Sequence, residues 1–478
     1  MSNFKKEFLS GVLYTSVSKY IGIVISLLIT AVLARLLKPT DFGLIAVASI
    51  MINFVNLLTD FGLGPAIIQK DDLEKKDLQS LFSFTIFAGI IAALAVFCLC
   101  HPIALYYENE KLVNVFRLLS LNIILVTINI VPNALLLRTK QFKLIAIRTL
   151  LMQVVSGVVG VVMAFIGYGI YALIVQALLS SLGIFVFNYV QNPLRLTIHI
   201  QKSSLKKVLN FSAFQFLAQI FNYFTKDIDK LLIGKYTNLS QLGYYQKSYQ
   251  LMQLPVGNLS YVFTPVMQPV FREYQHDLKT MFTKYGAILN CLSLIAFPLS
   301  AYLYFESYDL ISIVYGSRWE PAVVAFRWLA LGIGFNVLLS SSGPMFLVSN
   351  NVRMSFVNCI VEFIISTSCI LVGLFIGNIN SVAIMVSIGV FFRFLYIFTV
   401  LTKIAFRLSM ALFISFIYRG VLCGIGIFLL YFLLDSSLYE GKFSLIRLIV
   451  NTLIFASMAF YALYKSGLIS QNIFHKHK

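Results

Sequence analysis

The sequence predicts an all-α, polytopic membrane protein with fourteen transmembrane helices. Of the 478 residues, 59% are hydrophobic and only 12% are charged, and the mean hydropathy is +0.86. A soluble domain carries roughly 25% charged residues, so this chain cannot give several soluble domains a polar surface. Apolar runs of about 20 residues, long enough to cross ~30 Å of hydrocarbon, recur along the whole chain. The longest connection between them, 191–207, leaves no room for an extramembrane catalytic or nucleotide-binding domain.

The ends of the spans are set by the charged residues, Pro, Asn and Gly that interrupt the apolar runs. In chain order the predicted spans are 10–34, 42–63, 80–101, 116–137, 144–166, 169–190, 208–234, 248–270, 285–305, 322–348, 354–376, 381–402, 411–434 and 444–464. The first run follows Lys5 and Lys6, as in a signal peptide, but it continues to Ala34 without a small-x-small cleavage site. We therefore expect it to be retained as a membrane helix. The six cysteines all lie in apolar runs and predict no disulfide framework.

The formal charge of +18 is explained mainly by topology. The loops and termini on the side of the N-terminus contain 21 Lys and Arg, whereas the opposite loops contain seven. Because basic loops resist translocation, the N-terminal side is predicted to be cytoplasmic, and an even number of spans brings the C-terminus to the same side. The remaining surplus lies in the spans, which hold nine bases and four acids. No nucleic-acid partner is expected.

An internal repeat appears when the chain is shifted by 200 residues. Arg35–Gly43 then falls on Lys235–Gly243, and Gly43 meets Gly243. Span 1 therefore matches span 7, which gives six spans per repeat and two lobes of the same orientation around a central cleft, in a 6+6+2 arrangement. The predicted domains are a six-helix lobe at 1–190, a cytoplasmic linker at 191–207, a second six-helix lobe at 208–404, and two further helices with a tail at 405–478.

Four segments carry a resemblance to a known family: Ala34–Gly43, Asp60–Gln69, Asp229–Gly234 and Leu242–Leu251. The chain resembles the bacterial polysaccharide transporter family, oligosaccharide flippases of the multidrug/oligosaccharidyl-lipid/polysaccharide superfamily. One departure is Tyr236–Asn238, where the family more often has a hydrophobic-Gly turn.

The resemblance implies a multi-pass protein of the bacterial cytoplasmic membrane that is not an enzyme. It implies that an undecaprenyl-diphosphate-linked oligosaccharide is moved from the inner to the outer leaflet by alternating access, for surface polysaccharide export. The expected partners are this lipid-linked substrate and membrane lipid, and other polysaccharide assembly proteins stay open as partners. No cofactor is expected.

Two basic residues, Lys19 and Arg393, lie deep in predicted spans. A central Lys or Arg that faces lipid costs about 2.5–3.5 kcal/mol, so both should face a wet cavity or a partner. Five others lie near span ends, where long side chains can reach the interface, and are expected to be anchors: Arg117, Arg148, Arg327, Arg419 and Arg447.

Span 7 carries the densest group of charges, Lys226, Asp227, Asp229 and Lys230. The i,i+3 spacing allows Asp227 to reach Lys230 and Asp229 to reach Lys226. This group is either a self-neutralised turn near the outer end of the helix or a stripe that lines the central cleft.

A second pair is predicted in spans 11 and 12. Glu362 and Arg393 lie at similar depths from the cytoplasmic edge of a helical hairpin, which favours an ion pair. The pair either holds the hairpin together or changes between transport states. Asp60 is interpreted as a helix cap or loop contact.

The diphosphate of a lipid carrier needs fixed positive charge in a low-dielectric passage, so Lys19, Lys226, Lys230 and Arg393 are the candidate substrate-binding cations. Asp227, Asp229 and Glu362 are the candidates for ion coupling or gating. The chain has no phosphate-binding loop motif, so direct use of ATP is not expected, and ion coupling and downhill flipping both stay open. The alternatives are a cation-coupled multidrug-type antiporter of the same superfamily and, in a different class, a membrane-embedded glycan polymerase.

Overall fold

The computed structural model describes residues 2–60, 62–70, 73–197, 213–349, 351–438, 448–449, 451–453, 455 and 457. Within these residues the regular elements are helices, and no strand occurs. The helices are α1 Ser2–Leu36, α2 Pro39–Asp60, α3 Leu63–Gln69, α4 Lys75–Tyr106, α5 Lys111–Ile128, α6 Ile130–Arg138, α7 Phe142–Ile166, α8 Ile170–Gln191, α9 Ala213–Tyr236, α10 Leu239–Arg272, α11 Leu278–Phe305, α12 Ser307–Val314, α13 Ala322–Leu331, α14 Ile333–Ser340, α15 Ser342–Val348, α16 Val352–Ile376, α17 Ile379–Thr399 and α18 Met410–Leu438. A 3₁₀ turn at Ser317–Trp319 and a π-helical turn at Val400–Ala405 complete the regular structure of this range.

The described helices make the chain a polytopic membrane protein. Ten of them are long and apolar enough to cross a membrane, and a bent pair, Ala322–Leu331 with Ile333–Val348, brings the number to eleven if it forms one span. Helices α9 and α10 occupy the predicted spans 7 and 8, but they are too polar to be counted among these ten helices. The predicted span 444–464 lies largely outside the described residues, as do residues 198–207 of the predicted linker. The count of fourteen therefore stays a prediction.

Several predicted spans are interrupted. Span 4 divides into α5 and α6 at Asn129, and span 10 bends by 50° between α13 and α14, next to Gly332. The bend is stabilised from outside its own helix, because the N–H of Gly334 donates to Ser300 Oγ at 2.8 Å and Ser387 Oγ donates to the carbonyl of Trp328 at 2.7 Å. Backbone groups that a bend releases in an apolar environment need such partners.

Packing divides the chain into two units, Met1–Gly243 and Tyr244–Lys478. In the first unit, a core cluster joins α3, α4 and α6 and consists of Leu63, Ala66, Ile67, Leu73, Leu81, Phe82, Val131, Ala134 and Leu194. In the second unit, one core cluster joins α11 and α18 and consists of Ala301, Tyr302, Phe305, Ile427 and Tyr431. In each unit one of these helices also has exposed apolar side chains, Ile91 and Leu94 on α4 and Leu422 and Leu433 on α18, as expected of helices that contact lipid.

The turn between α1 and α2 and the turn between α9 and α10 share one geometry, in agreement with the repeat at 200 residues. Helix α1 ends at Leu36 and α2 begins at Pro39, whereas α9 ends at Tyr236 and α10 begins at Leu239. The contacts are reciprocal: a Cβ atom on Gly43 would overlap the carbonyl of Leu239, and a Cβ atom on Gly243 would overlap the carbonyl of Pro39. Only glycine permits this backbone approach at either position.

Candidate functional site

Lys19 lies on α1 beside a groove of about 350 Å³ that α1 and α7 form in the first unit. The other polar residues of the groove are Thr15, Ser18, Ser26, Thr149 and Gln153. Gln153 fixes the two helices to each other, because its Nε2 donates to the carbonyl of Gly22 at 2.8 Å. One cation among hydroxyl and amide groups is a surrounding that suits an anionic, hydroxyl-rich ligand.

The charged group on α9 is largely paired within its own helix. Lys230 forms the predicted ion pair with Asp227 and also donates from Nζ to the carbonyl of Lys226 at 2.9 Å. Asp229 Oδ1 accepts from the backbone N–H of Lys230 at 2.8 Å. Lys230 and Asp229 are buried, whereas Lys226 is exposed. The Asp227–Lys230 prediction is confirmed, and the pairing of Asp229 with Lys226 stays a prediction.

Helix α9 is held against α2 in the same unit by aromatic contacts. The hydroxyl of Tyr223 donates to the carbonyl of Ile50, and the Tyr223 ring lies 5.8 Å from the ring of Phe54. The charged turn of α9 is thereby fixed relative to the first helical hairpin. The lysines of this turn are not among the lining residues of the Lys19 groove.

In the second unit, Arg393 and Glu362 form the predicted ion pair between α17 and α16. Arg393 donates to Glu362 Oε2 from Nε at 3.0 Å and from Nη2 at 2.7 Å, and Nη1 lies 3.5 Å from Ser366 Oγ. The two side chains are 19% and 22% exposed. The prediction that Glu362 and Arg393 lie at similar depths in their helices is therefore confirmed. The pair is partly buried between two apolar helices.

Arg148 is not an interfacial anchor, in contrast to the prediction. Its guanidinium is buried and donates to Asn188 Oδ1 and, at 3.3 Å, to Asn133 Oδ1. Asn188 in turn donates to Asn129 Oδ1 at 2.7 Å, at the break between α5 and α6. The two partners of Arg148 come from two other helices, Asn133 from α6 and Asn188 from α8, and the position of Arg148 in its own span does not reveal them.

Sequence reasoning also missed a buried polar cluster where α11 meets α12. Glu306 and Asp309, which the sequence places in an outer loop, are both fully buried. Glu306 Oε1 accepts from Asn451 Nδ2 at 2.6 Å, and Arg327 Nε donates to Ser307 Oγ at 3.2 Å. Both residues belong to the start of the short helix α12, which follows α11 directly, and a helix of eight residues is too short to be distinguished from a loop in the sequence.

Asp60 accepts from the N–H of Gly64 at 3.5 Å, as expected of a loop contact between α2 and α3. Among the described residues, no group of three or more His, Cys, Asp or Glu side chains could hold a metal ion.

Comparison with known proteins gives a consistent assignment. A sequence model of a family described as polysaccharide biosynthesis proteins matches residues 32–324. The teichuronic acid biosynthesis protein TuaB of Bacillus subtilis (strain 168) is 24% identical over 358 residues, which cover 74% of each chain. The lipopolysaccharide biosynthesis protein WzxC of Escherichia coli (strain K12) is 22% identical over 360 residues, which cover 74% of this chain and 72% of its own.

Two solved structures show the same fold. The lipid II flippase MurJ superposes with a TM-score of 0.73 at 14% identity, over 97% of this chain and 100% of its own. A multidrug resistance transporter of the MATE family, from the MOP superfamily, superposes with a TM-score of 0.60 at 14% identity, over 81% of this chain and 96% of its own.

Proposed function

The chain belongs to the polysaccharide biosynthesis protein family, and from this premise we propose that it is a flippase for a lipid-linked oligosaccharide. It moves an undecaprenyl-diphosphate-linked oligosaccharide from the inner to the outer leaflet of the bacterial cytoplasmic membrane, by alternating access, for export of a surface polysaccharide. The observation that carries this proposal is the groove at Lys19, which combines a cation with hydroxyl and amide groups on helices that otherwise face lipid. The polyisoprenoid tail stays in the bilayer, so only the headgroup needs a polar path.

The names of similar proteins support a role in moving a lipid-linked sugar across the membrane. One relative, 25% identical over 310 residues, is the succinoglycan biosynthesis transport protein ExoT of Rhizobium meliloti (strain 1021), and MurJ is a lipid II flippase. The proposed architecture is fourteen spans in a 6+6+2 arrangement, with lobes at 1–190 and 208–404 around a central cleft, a linker at 191–207, two helices with a tail at 405–478, and both termini in the cytoplasm. The protein acts as a transporter rather than an enzyme.

The roles proposed for the charged residues follow from their partners. Lys19 receives the diphosphate, and Lys226, Lys230 and Arg393 are the further substrate-binding cations. Because Lys230 and Arg393 are paired with Asp227 and Glu362, they are available to a substrate only if those pairs open during the cycle. The carboxylates of Asp227, Asp229 and Glu362 would then act in gating or ion coupling.

The test is flipping in vesicles that contain the purified full-length chain and a lipid-linked oligosaccharide in the inner leaflet. Appearance of the sugar at the outer surface, measured with a membrane-impermeant oxidant, is expected with the protein and not without it. Imposed proton and sodium gradients, applied separately, distinguish ion coupling from downhill transport. Vesicles whose sugar stays protected in every condition would contradict the proposal.

A further inference from the structure

A second polar cavity, of about 480 Å³, lies where the α1–α2, α4–α5 and α9–α10 connections meet in the first unit. Its polar lining includes Thr40, Glu108, Asn109, Lys111, Lys235 and Asn238. None of these residues lines the Lys19 groove or belongs to the proposed passage. In the predicted topology, all three connections lie on the outer side of the membrane. We refer to this cavity as the outer pocket.

The outer pocket has a rigid base. The close contacts of Gly43 with Leu239 and of Gly243 with Pro39 fix the two repeat-related turns against each other. Tyr107, which is buried, donates from its hydroxyl to the carbonyl of Leu231 at 3.3 Å and so holds the α4–α5 connection on the end of α9. A polar cavity with a preformed base loses little conformational entropy when a ligand binds.

The ion pair between Lys235 and Glu108 at the outer pocket can be replaced by a pair between Lys235 and a bound anion. Lys235 Nζ lies 2.9 Å from Glu108 Oε1 and 4.9 Å from the centre of the Tyr106 ring. The hydrogen bond and the charge of Lys235 lower the pKa of Glu108, but this carboxylate is 82% exposed. An exposed ion pair of this kind contributes little net free energy, so an incoming anion can replace Glu108 at Lys235.

The backbone at Glu108 forms the turn that terminates α4. Glu108 is the second residue after α4 and has φ of 53°, in the left-handed region where glycine is usual, and the N–H groups of Glu108 and Asn109 donate to the carbonyls of Leu105 and Ala104. The conformation places a carboxylate at the edge of a cavity that already contains two lysines.

From this geometry we infer that the outer pocket binds an anionic sugar headgroup, with Lys235 and Lys111 on the acidic group and Asn109, Asn238 and Thr40 on neighbouring sugar hydroxyls. Amide and hydroxyl groups that donate and accept at once suit vicinal sugar hydroxyls. The inference rests on the proposed function, since that function brings such a headgroup to the outer face. The outer pocket is then a site on the product side, distinct from the passage itself.

In the test, binding to the full-length chain in nanodiscs of neutral lipid is measured by isothermal titration calorimetry. The probes are a hexasaccharide of alternating glucuronic acid and N-acetylglucosamine, the neutral maltohexaose, and inorganic pyrophosphate. We expect the acidic hexasaccharide to bind most tightly, and Lys235→Gln to weaken its binding about tenfold, the effect of losing one charge-assisted hydrogen bond. Glu108→Gln should strengthen its binding, because the competing carboxylate is removed.

The matched control is Lys38→Gln. Lys38 is exposed in the α1–α2 turn on the same predicted face but is not among the lining residues, so this substitution makes the same change in charge outside the outer pocket. Equal loss of binding in Lys38→Gln and Lys235→Gln would show a diffuse charge effect and overturn the site.

Pyrophosphate binding as tight as that of the hexasaccharide would overturn the assignment to a sugar. A chain that flips its substrate but binds no probe would refute this site alone, and one that binds but does not flip would refute the transport proposal alone.

Discussion

Lys19 is a charged residue on an apolar helix, and its surroundings explain how that is tolerated. A lysine that faced lipid at this depth would cost about 2.5–3.5 kcal/mol. Lys19 instead lines the groove between α1 and α7, together with Thr15, Ser18 and Gln153. The sequence indicated that the charge needed a polar surrounding, but not which helix supplied it, because α7 follows α1 by more than a hundred residues.

We predict that Lys19→Ala abolishes export while the protein still inserts into the membrane, because the diphosphate loses its fixed countercharge. Lys19→Arg should retain activity, since the charge is kept. Surface polysaccharide and the membrane content of the protein are measured in the same cells. The control is Lys38→Ala, an exposed lysine outside the groove, for which normal export is expected. Normal polysaccharide in Lys19→Ala would remove this residue from the proposed site.

The Glu362–Arg393 pair allows the two interpretations left open by the sequence to be separated. Substitution of one partner leaves the other charge without its counter-ion. We therefore expect Glu362→Gln to lower the free energy of unfolding by about 3 kcal/mol, which is the lower end of the cost of breaking a buried ion pair. The lower end applies because the side chains are still 22% and 19% exposed. Thermal unfolding in detergent measures the change.

The double variant Glu362→Leu with Arg393→Leu decides the role of the pair. It removes both charges, so stability should return close to that of the unchanged protein. If flipping returns with stability, the pair only holds α16 against α17. If flipping stays absent in a stable protein, the charges act in substrate binding or gating, which is the outcome we expect.

At the scale of helices, the sequence predicts positions better than interruptions. The start of α7 at Phe142 and the end of α16 at Ile376 agree closely with the predicted spans, because charged residues and Gly mark those ends directly. The break at Asn129 and the bend next to Gly332 were not predicted. Both are stabilised by side chains from other helices, Asn188 at the first and Ser300 at the second, and such partners leave no local pattern.

The two turns with reciprocal glycine contacts give a prediction at this scale. Ala is favoured over Gly inside a helix by about 1 kcal/mol, so a stabilising effect would be expected for Gly43→Ala from helix propensity alone. The added Cβ would nevertheless overlap the carbonyl of Leu239, and the backbone cannot give way as a flexible side chain could. We expect Gly43→Ala and Gly243→Ala to reduce flipping by about tenfold or more, each to a similar extent, because a loss of about 1.4 kcal/mol from the contact between the two turns corresponds to a factor of ten.

The control for these glycines is Gly257→Ala on α10, where an added Cβ meets nothing within 4 Å. Flipping in vesicles should be unchanged in this variant, and its stability should be equal or higher. Modification of a cysteine introduced at Ser240 reports whether the turn contact has opened, and we expect faster labelling in Gly43→Ala than in Gly257→Ala. Equal labelling in the two variants would show that the glycine contact does not hold the two turns together.

At the scale of the whole molecule, composition and local sequence motifs carried most of the information. An all-helical membrane protein of this family follows from apolar runs and from motifs such as Ala34–Gly43, and both are local in sequence. The number of spans is harder to predict from the sequence, because charged and polar residues make α9 and α10 less hydrophobic than the other spans. Helices that line a polar path are the ones least recognisable as spans, since lipid does not contact all of their faces.

Topology is the last prediction, and it tests the count of spans and the orientation together. The basic loops alternate so that one missed helix would reverse the side of every later loop. We expect a reporter that is active only in the cytoplasm to function when fused after Lys140, Arg272, Lys403 or Lys478, and one that is active only outside to function when fused after Lys111, Lys235 or Lys442. Fusions after Arg195 and Lys235 are the decisive pair, because they flank α9. If both report the same side, α9 does not cross the membrane, and the 6+6+2 arrangement and the outer position of the α9–α10 turn are both refuted.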